Sequence, residues 1–310
     1  MRIFRGIEEI KGIKNAVVTT GSFDGVHIGH FCIIQRLNRL AEEINGESVL
    51  VTFCPHPRKI LFPETAGKDL KLINSQREKI ELLAKTGLQN LVIIDFTIAF
   101  SKTSSEDFIR EVLVKKINAK KVVIGFNHHF GHHRKGDFSD LYRLGKEFHF
   151  DVEEIPEQDI HNEAVSSTKV RQALTEGNIQ KANAYLDHHY VITGQARKLS
   201  KKEHNTYQWY DINIEEDCKL IPPTGLYATF MYYKGQQHKG MVEIQYFNDP
   251  SSNSCSNKRV LLNNIGIDDD IHGKIITIYF ASKVLPQEGS NTYTENEYTK
   301  TRSHIEELIY

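Results

Sequence analysis

The sequence has no C-x-x-C pair; its four cysteines, Cys32, Cys54, Cys218 and Cys255, are scattered through 310 residues. Neither a disulfide framework nor a thiolate zinc site is expected from such spacing. An excess of one charge is also missing. Lys plus Arg number 39 against 40 for Asp plus Glu, a formal charge of −1, so binding to nucleic acid through bulk basic charge is not expected. No apolar run approaches the roughly 18 residues of a membrane span. The opening MRIFRGIEEIKGIKN lacks the apolar stretch of a secretion signal. The expectation is a cytoplasmic protein with neither a nucleic acid nor a membrane as partner, its oligomeric state unknown. Two nucleotide signatures are absent as well: the chain contains no G-x-x-x-x-G-K-[ST] and no G-x-G-x-x-G.

What is present falls into two textures. Residues 16–20 (AVVTT), 48–53 (SVLVTF), 91–95 (LVIID) and 121–125 (KVVIG) are short, β-branched and bounded by turn residues, the mark of buried strands. Between them 29–44, 75–86, 104–116 and 137–148 read as helices. In the first, Phe31, Ile34, Leu37, Leu40 and Ile44 recur at steps of three and four and form one apolar stripe. Strand then helix, repeated, predicts a doubly wound parallel sheet over residues 1–186. From 187 to 310 the helical period fades. Residues 190–194, 207–214, 225–233, 240–246 and 274–280 alternate like strands, which predicts an antiparallel barrel with a terminal helix at 301–310. The polar stretch 248–258 reads as a loop.

The most informative segment is TGSFDGVHIGH, residues 20–30, where a buried strand turns into an amphipathic helix. Ligands of parallel α/β sheets bind at the carboxyl ends of strands, where a helix N-terminus offers open N–H groups and a positive dipole end. Gly21, Gly25 and Gly29 permit tight turns or close approach. His27 and His30, three residues apart, are positioned to act on one phosphate, donating to charge that grows on phosphorus during displacement. A second segment, SSTKVR at 166–171, combines a hydroxyl-rich helix cap (Ser166 or Ser167), Thr168 and Arg171 one turn later.

With TFCPHP at 52–57 and GFNHHFGHHRKGD at 125–137, these motifs stand in the order and spacing of bacterial FAD synthetases, and the chain resembles that family over almost the whole first domain. The resemblance implies a Rossmann-like H-x-G-H nucleotidylyltransferase that transfers AMP from ATP to FMN, giving FAD and pyrophosphate with Mg²⁺. It implies a catalytic role for His27, His30 and Arg171. By the same resemblance Gly21, Phe23, Asp24, Gly29, Asn127, Ser166, Ser167 and Thr168 bind ATP, and Pro55, His56, Pro57 and Arg58 lie near FMN. Asn127 stands where the family most often has Asp. The histidines at 128, 129, 132 and 133 form two adjacent pairs; a metal site needs three or four ligands converging on one point, and none is expected here.

The family's second domain is a riboflavin kinase barrel with a G-R-x-L-G-F-P-T-A-N stretch and a catalytic Glu in an E-V-H-L-L-type strand. Here the corresponding regions read GQARKLSKKEHNTY at 194–207 and KRVLLN at 258–263, with Lys258 or Arg259 at the position of the acid. A kinase coordinates magnesium through oxygen ligands and orients a hydroxyl, normally with a carboxylate. The expectation is therefore a degenerate barrel that has lost riboflavin phosphorylation, with Glu243 and Asp268–Asp270 the nearby acids. The alternatives are the bifunctional enzyme, which also phosphorylates riboflavin, and a flavin-binding protein without catalysis.

Overall fold

The computed structural model describes residues 1–125, 138–155, 159–160, 163–200, 207–246, 257–287 and 293–308. The chain divides into two compact units, Met1–Leu70 with Lys79–Val165, and Lys71–Glu78 with Ser166–Tyr310.

The first unit is built on six parallel strands: β1 (Arg2–Arg5), β2 (Ala16–Thr20), β3 (Ser48–Cys54), β4 (Asn90–Asp95), β5 (Ala119–Gly125) and β6 (Asp151–Ile155). Their order is β1-β4-β3-β2-β5-β6. Parallel neighbours require crossovers, and helices occupy them: α1 (Ile28–Glu43), α2 (Pro57–Leu61), α3 (Gln76–Ala84), α4 (Ile98–Ser101), α5 (Ser105–Asp107) and α6 (Phe138–Phe148). After α5 the helix continues through Phe108–Lys116 with a wider turn, in which Ile117 N–H reaches back five residues to Val112 O. The strands are apolar on both sides because helices cover both faces. Val18, Val49, Val51, Val92 and Val122 pack on one side against Ile109, Val112 and Leu141. Val17, Leu50, Leu91 and Val123 face Ile34, Leu37, Leu40 and Leu83 on the other. A two-residue pair, β7 (Asp159–Ile160) and β8 (Glu163–Ala164), follows.

The second unit begins with α7 (Ser167–Thr175) and α8 (Ile179–Leu186), followed by β9 (Tyr190–Lys198), β10 (Tyr210–Asn213), β11 (Gly225–Tyr233), β12 (Gln236–Tyr246), β13 (Lys258–Asn264) and β14 (Ile275–Pro286). These six strands close an antiparallel barrel in the order β10-β13-β12-β11-β14-β9. Closure removes the sheet edges. Tyr190, Tyr227 and Phe280 are fully buried, and the Phe280 ring meets the other two at 5.7 and 5.5 Å. The β11–β12 hairpin turns through Lys234 and Gly235, both at positive φ, the geometry that matches strand twist. The last helix, α9 (Glu295–Glu307), starts at a reciprocal cap between Thr294 and Glu297 and packs Tyr298 and Ile305 with Trp209, Leu226, Met241 and Leu261.

One buried ion pair fastens residues 71–78 to the barrel within this unit. Lys219, 1% exposed, places its Nζ 2.6 Å from Glu78 Oε2, 2.5 Å from Ile73 O and 2.7 Å from Val191 O. Glu78 in turn accepts from the N–H groups of Ser75 (2.9 Å) and Thr193 (2.7 Å). Every ammonium proton has an acceptor.

The α/β sheet, the barrel and the terminal helix agree with the sequence reading. By contacts α7 and α8 group with the barrel in the second compact unit. Asn183 on α8 makes the connection, its Nδ2 donating to Phe280 O and its Oδ1 accepting from Tyr190 N–H. Strands β1 and β6, absent from the sequence reading, are the sheet's edges. The terminal helix begins at Glu295 rather than 301 because the Thr294 cap sets its start. Lys258 opens β13 instead of ending a loop; residues 247–256 lie outside the described residues. Among the described residues no helix is long and apolar enough to cross a membrane.

Candidate active site

Strand β2 is central: β3 pairs on one side of it and β5 on the other, so the strand order reverses there. The crevice at the carboxyl end of such a strand is where open α/β sheets bind ligands. The chain leaves β2 at Thr20, and α1 begins at Ile28. Between them the backbone takes positive φ at Phe23 (48°), Gly25 (95°) and Val26 (44°). For Phe23 and Val26 this conformation costs about 1–3 kcal/mol each. Both side chains are buried in the core, at 3% and 4% exposure, and that burial holds the loop. Gly21 leaves room for the Phe23 ring, which a Cβ there would meet at 3.0 Å.

His27 occupies the cap position of α1 in extended conformation, without a side-chain cap bond. The first backbone bond of the helix runs from Phe31 N–H to His27 O, so the N–H groups of the first turn have no intrahelical acceptors. The imidazoles of His27 and His30 stack at 3.6 Å and 18°, and Phe23 backs His30 at 4.4 Å. Burial, then the charges of His27 and Lys79, hold the His30 pKa well below its usual value. His30 is therefore neutral at pH 7, and its buried Nδ1 has no hydrogen-bond partner among the described residues. Asp24, 4% exposed, is the carboxylate of the loop.

Lys79 was not anticipated. It is 8% exposed, and its Nζ lies 3.2 Å from Ser22 O and 3.4 Å from Thr52 Oγ1, while Thr52 itself donates to Ser22 O. A buried ammonium thus sits beneath the turn that carries the histidines. Its only signal in the sequence is a lysine on the apolar side of a helix, which on its face reads as a solvated charge.

The second cluster of the first unit follows β3. His56 caps α2, its Nδ1 accepting from Arg58 N–H at 3.2 Å, with Pro57 in the first turn. Pro55, His56, Pro57 and Arg58 are all at this corner. Phe53, Phe96 and Phe100 form an aromatic group with centroids 5.5–6.0 Å apart. Nearby, Leu61 on α2, Phe62 just after it and Ile98 on α4 are exposed by 44%, 52% and 66%.

The structure brings together Gly21, Phe23, Asp24, His27, Gly29 and His30. Phe23 lies in the core as the support of His30 rather than as an open wall. Ser166, Ser167, Thr168 and Arg171 belong to the second unit. Ser166 is the cap of α7, accepting from Lys169 N–H, and Arg171 Nε donates to Lys71 O at 2.9 Å. Asn127 and the histidines 128, 129, 132 and 133 lie outside the described residues. Among the described residues no three His, Cys, Asp or Glu side chains are grouped to hold a metal.

In the barrel Lys258 Nζ donates to Ile221 O and Pro222 O, and Arg259 pairs with Asp211. Of the nearby acids, Asp269 is paired with Lys234, and Asp270 with Lys198, which with the His272 N–H holds its pKa down at about 2. Glu243 differs. It is 1% exposed, its partner is the Tyr298 hydroxyl at 2.8 Å, and burial raises its pKa.

A family model described as FAD synthetase matches residues 9–169, and one described as riboflavin kinase matches 186–295. Among curated proteins, a bifunctional riboflavin kinase/FMN adenylyltransferase from Buchnera aphidicola (Acyrthosiphon pisum) is 30% identical, over 92% of this chain and 90% of the relative. The protein of the same description from Listeria monocytogenes is 31% identical over 75% of this chain and 73% of its own. A crystal structure described as a macrolide-efflux protein from Streptococcus pneumoniae has TM-score 0.84 at 22% identity, covering 99% of this chain and 98% of the other, a likeness of fold. The expectation of a lost kinase half is not supported. The kinase match draws on the whole barrel, whereas the expectation rested on two short stretches.

Proposed function

The chain belongs to the family of bifunctional riboflavin kinase/FMN adenylyltransferases, and on that premise we propose that it catalyses both steps, phosphorylating riboflavin to FMN and then transferring AMP from ATP to FMN. The observation that carries the second step is the stacked His27–His30 pair at the open N-terminus of α1, at the strand where the sheet order reverses.

In that step an oxygen of the FMN phosphate attacks the α-phosphorus of ATP, the bond to the β-phosphate oxygen breaks, and pyrophosphate leaves. The attacking phosphate is already an anion, so no general base is needed. What the site supplies is alignment and donors for the growing charge. The first-turn N–H groups of α1, the imidazole edges and the Lys79 charge beneath the loop perform that work. The aromatic and apolar corner at Phe53, Phe96, Phe100, Phe62 and Ile98 suits the flat isoalloxazine, with Pro55, His56, Pro57 and Arg58 at its edge. Ser166, Ser167, Thr168 and Arg171 are assigned to the ATP phosphates by the family pattern.

Magnesium enters with ATP. Such an ion is held mainly by phosphate oxygens and water with one or two carboxylates, a role open to Asp24, and when bound it neutralises phosphate charge. For the kinase step Glu243 is the barrel carboxylate suited to accept the riboflavin 5′-hydroxyl proton, because burial raises its proton affinity and no cation pairs with it among the described residues.

The test is one incubation of the purified chain with riboflavin, ATP and Mg²⁺, with flavins separated by chromatography. Both FMN and FAD are expected. FAD from supplied FMN, without any FMN from riboflavin, would restrict the function to adenylylation; no FAD from either would overturn it.

A further inference from the structure

With α9 in place, Glu243 has no access to a substrate. A general base must come within hydrogen-bond reach of the group it acts on, yet Glu243 is 1% exposed and its Oε2 is held by the Tyr298 hydroxyl at 2.8 Å. Side chains two apart in a strand share a face. Met241 and Glu243 of β12 therefore stand together, with Asn263 and Leu261 opposite them on β13. Met241 packs with Tyr298 and Ile305, so this is the face that α9 covers.

Three polar fastenings hold the helix there, one on each successive turn. Tyr298 reaches Glu243, Arg302 Nη1 donates to Asn263 Oδ1 at 2.6 Å, and Lys239 Nζ donates to Glu306 O and Leu308 O. The spacing fits: one helical turn rises about 5.4 Å and two strand residues about 6.6 Å. Contacts at 298, 302 and 306 thus meet Glu243, the cross-strand partner of Met241, and Lys239 in order. Between Tyr298 and Ile305 lies Thr301, 2% exposed, whose hydroxyl has no partner among the described residues. A helix docked for stability alone would bury apolar groups along this seam, because a polar group taken from water has to be matched. Polar groups that water can satisfy suit a face that is alternately covered and open. The six strands of the barrel close on one another without α9, so the helix can lift with every ladder bond intact.

We propose that α9 is a lid over Glu243 with Tyr298 as its latch: docked, it blocks the kinase step, and lifted, it frees the carboxylate for the riboflavin 5′-hydroxyl. This inference rests on the reading of Glu243 as the kinase base.

The test combines hydrogen–deuterium exchange of the full chain, read by mass spectrometry, with FMN formation from riboflavin, ATP and Mg²⁺. Peptides of α9 are expected to exchange roughly tenfold faster than those of β12, the mark of local opening. Lys239→Met removes a fastening two turns from the latch. It is expected to speed α9 exchange at least a further threefold, to leave β9 unchanged, and to raise FMN formation by a similar factor. Arg302→Met acts at the middle turn and serves in its place if Lys239→Met does not fold. In both variants FAD formation from supplied FMN is expected to match the wild type. Two results would overturn the lid alone: α9 exchanging no faster than β12, or a loosened α9 without faster FMN formation when Glu243→Gln abolishes that reaction. FMN formation that survives Glu243→Gln would overturn the reading of Glu243 and the lid with it, as would absence of FMN from every form of the chain.

Discussion

Lys219 and Glu78, 141 residues apart in sequence, meet at 2.6 Å with side chains no more than 1% exposed. A buried pair of this kind adds little over a well-packed apolar pair, yet removing one partner strands the other charge, at about 3–5 kcal/mol. Lys219→Met and Glu78→Gln are each expected to cost that much in urea unfolding. The double change Lys219→Met with Glu78→Leu is expected to recover a large part of it.

His27→Ala and His30→Ala each remove a donor from the α1 N-terminus. FAD formation from FMN is expected to fall by roughly 10²–10³, the usual loss for one donor to developing charge. FMN formation from riboflavin, measured in the same protein, is expected to stay unchanged.

Lys79→Met keeps the aliphatic stem and removes the charge under the loop. Ser22 O loses a donor, so a stability loss of about 1–3 kcal/mol is expected, with roughly tenfold slower FAD formation. Chemical denaturation and single-turnover kinetics separate the two effects.

The histidine at position 30 titrates below its unfolded value because burial and neighbouring positive charge oppose protonation. Between the folded and unfolded pKa values the unfolded chain binds more protons, so stability rises with pH there. Stability is therefore present above pH ~6.5 and is lost as pH falls toward the folded value. Urea unfolding at pH 5 and 7 is expected to show that slope, and His30→Gln to flatten it. A His30 ring resonance titrating near 6.5 by NMR would contradict this.

Glu243 carries the opposite sign of shift. Its folded pKa is raised by burial, so its stabilising contribution belongs to low pH and is lost as pH rises through the folded value. Glu243→Gln retains an acceptor for Tyr298 and is expected to raise the melting temperature at pH 8 and not at pH 4. FMN formation is expected to be lost in the same variant while FAD formation from FMN persists.

The sequence revealed most where chemistry and burial coincide. Strands β2 to β5 are apolar on both faces and read as runs. By contrast β1 buries one residue of four, and β6 carries three acids in five, because edge strands meet water. Thr294 and Glu297 spell a capping box that fixes the start of α9, a signal present but not used. His27 and His30 were legible from glycine spacing and strand-to-helix context. Lys79 and Lys219 were not, since sequence spacing does not separate a lysine folded inward onto carbonyls from one pointing outward.

The turn from β2 to α1 has a consequence for protein engineering. Copying residues 21–30 into a foreign scaffold would transplant the letters and leave the shape behind. Phe23 and Val26 tolerate their left-handed backbone because each is anchored in the apolar layer below. A recipient lacking matching cavities for those two side chains would relax the turn and separate the paired imidazoles.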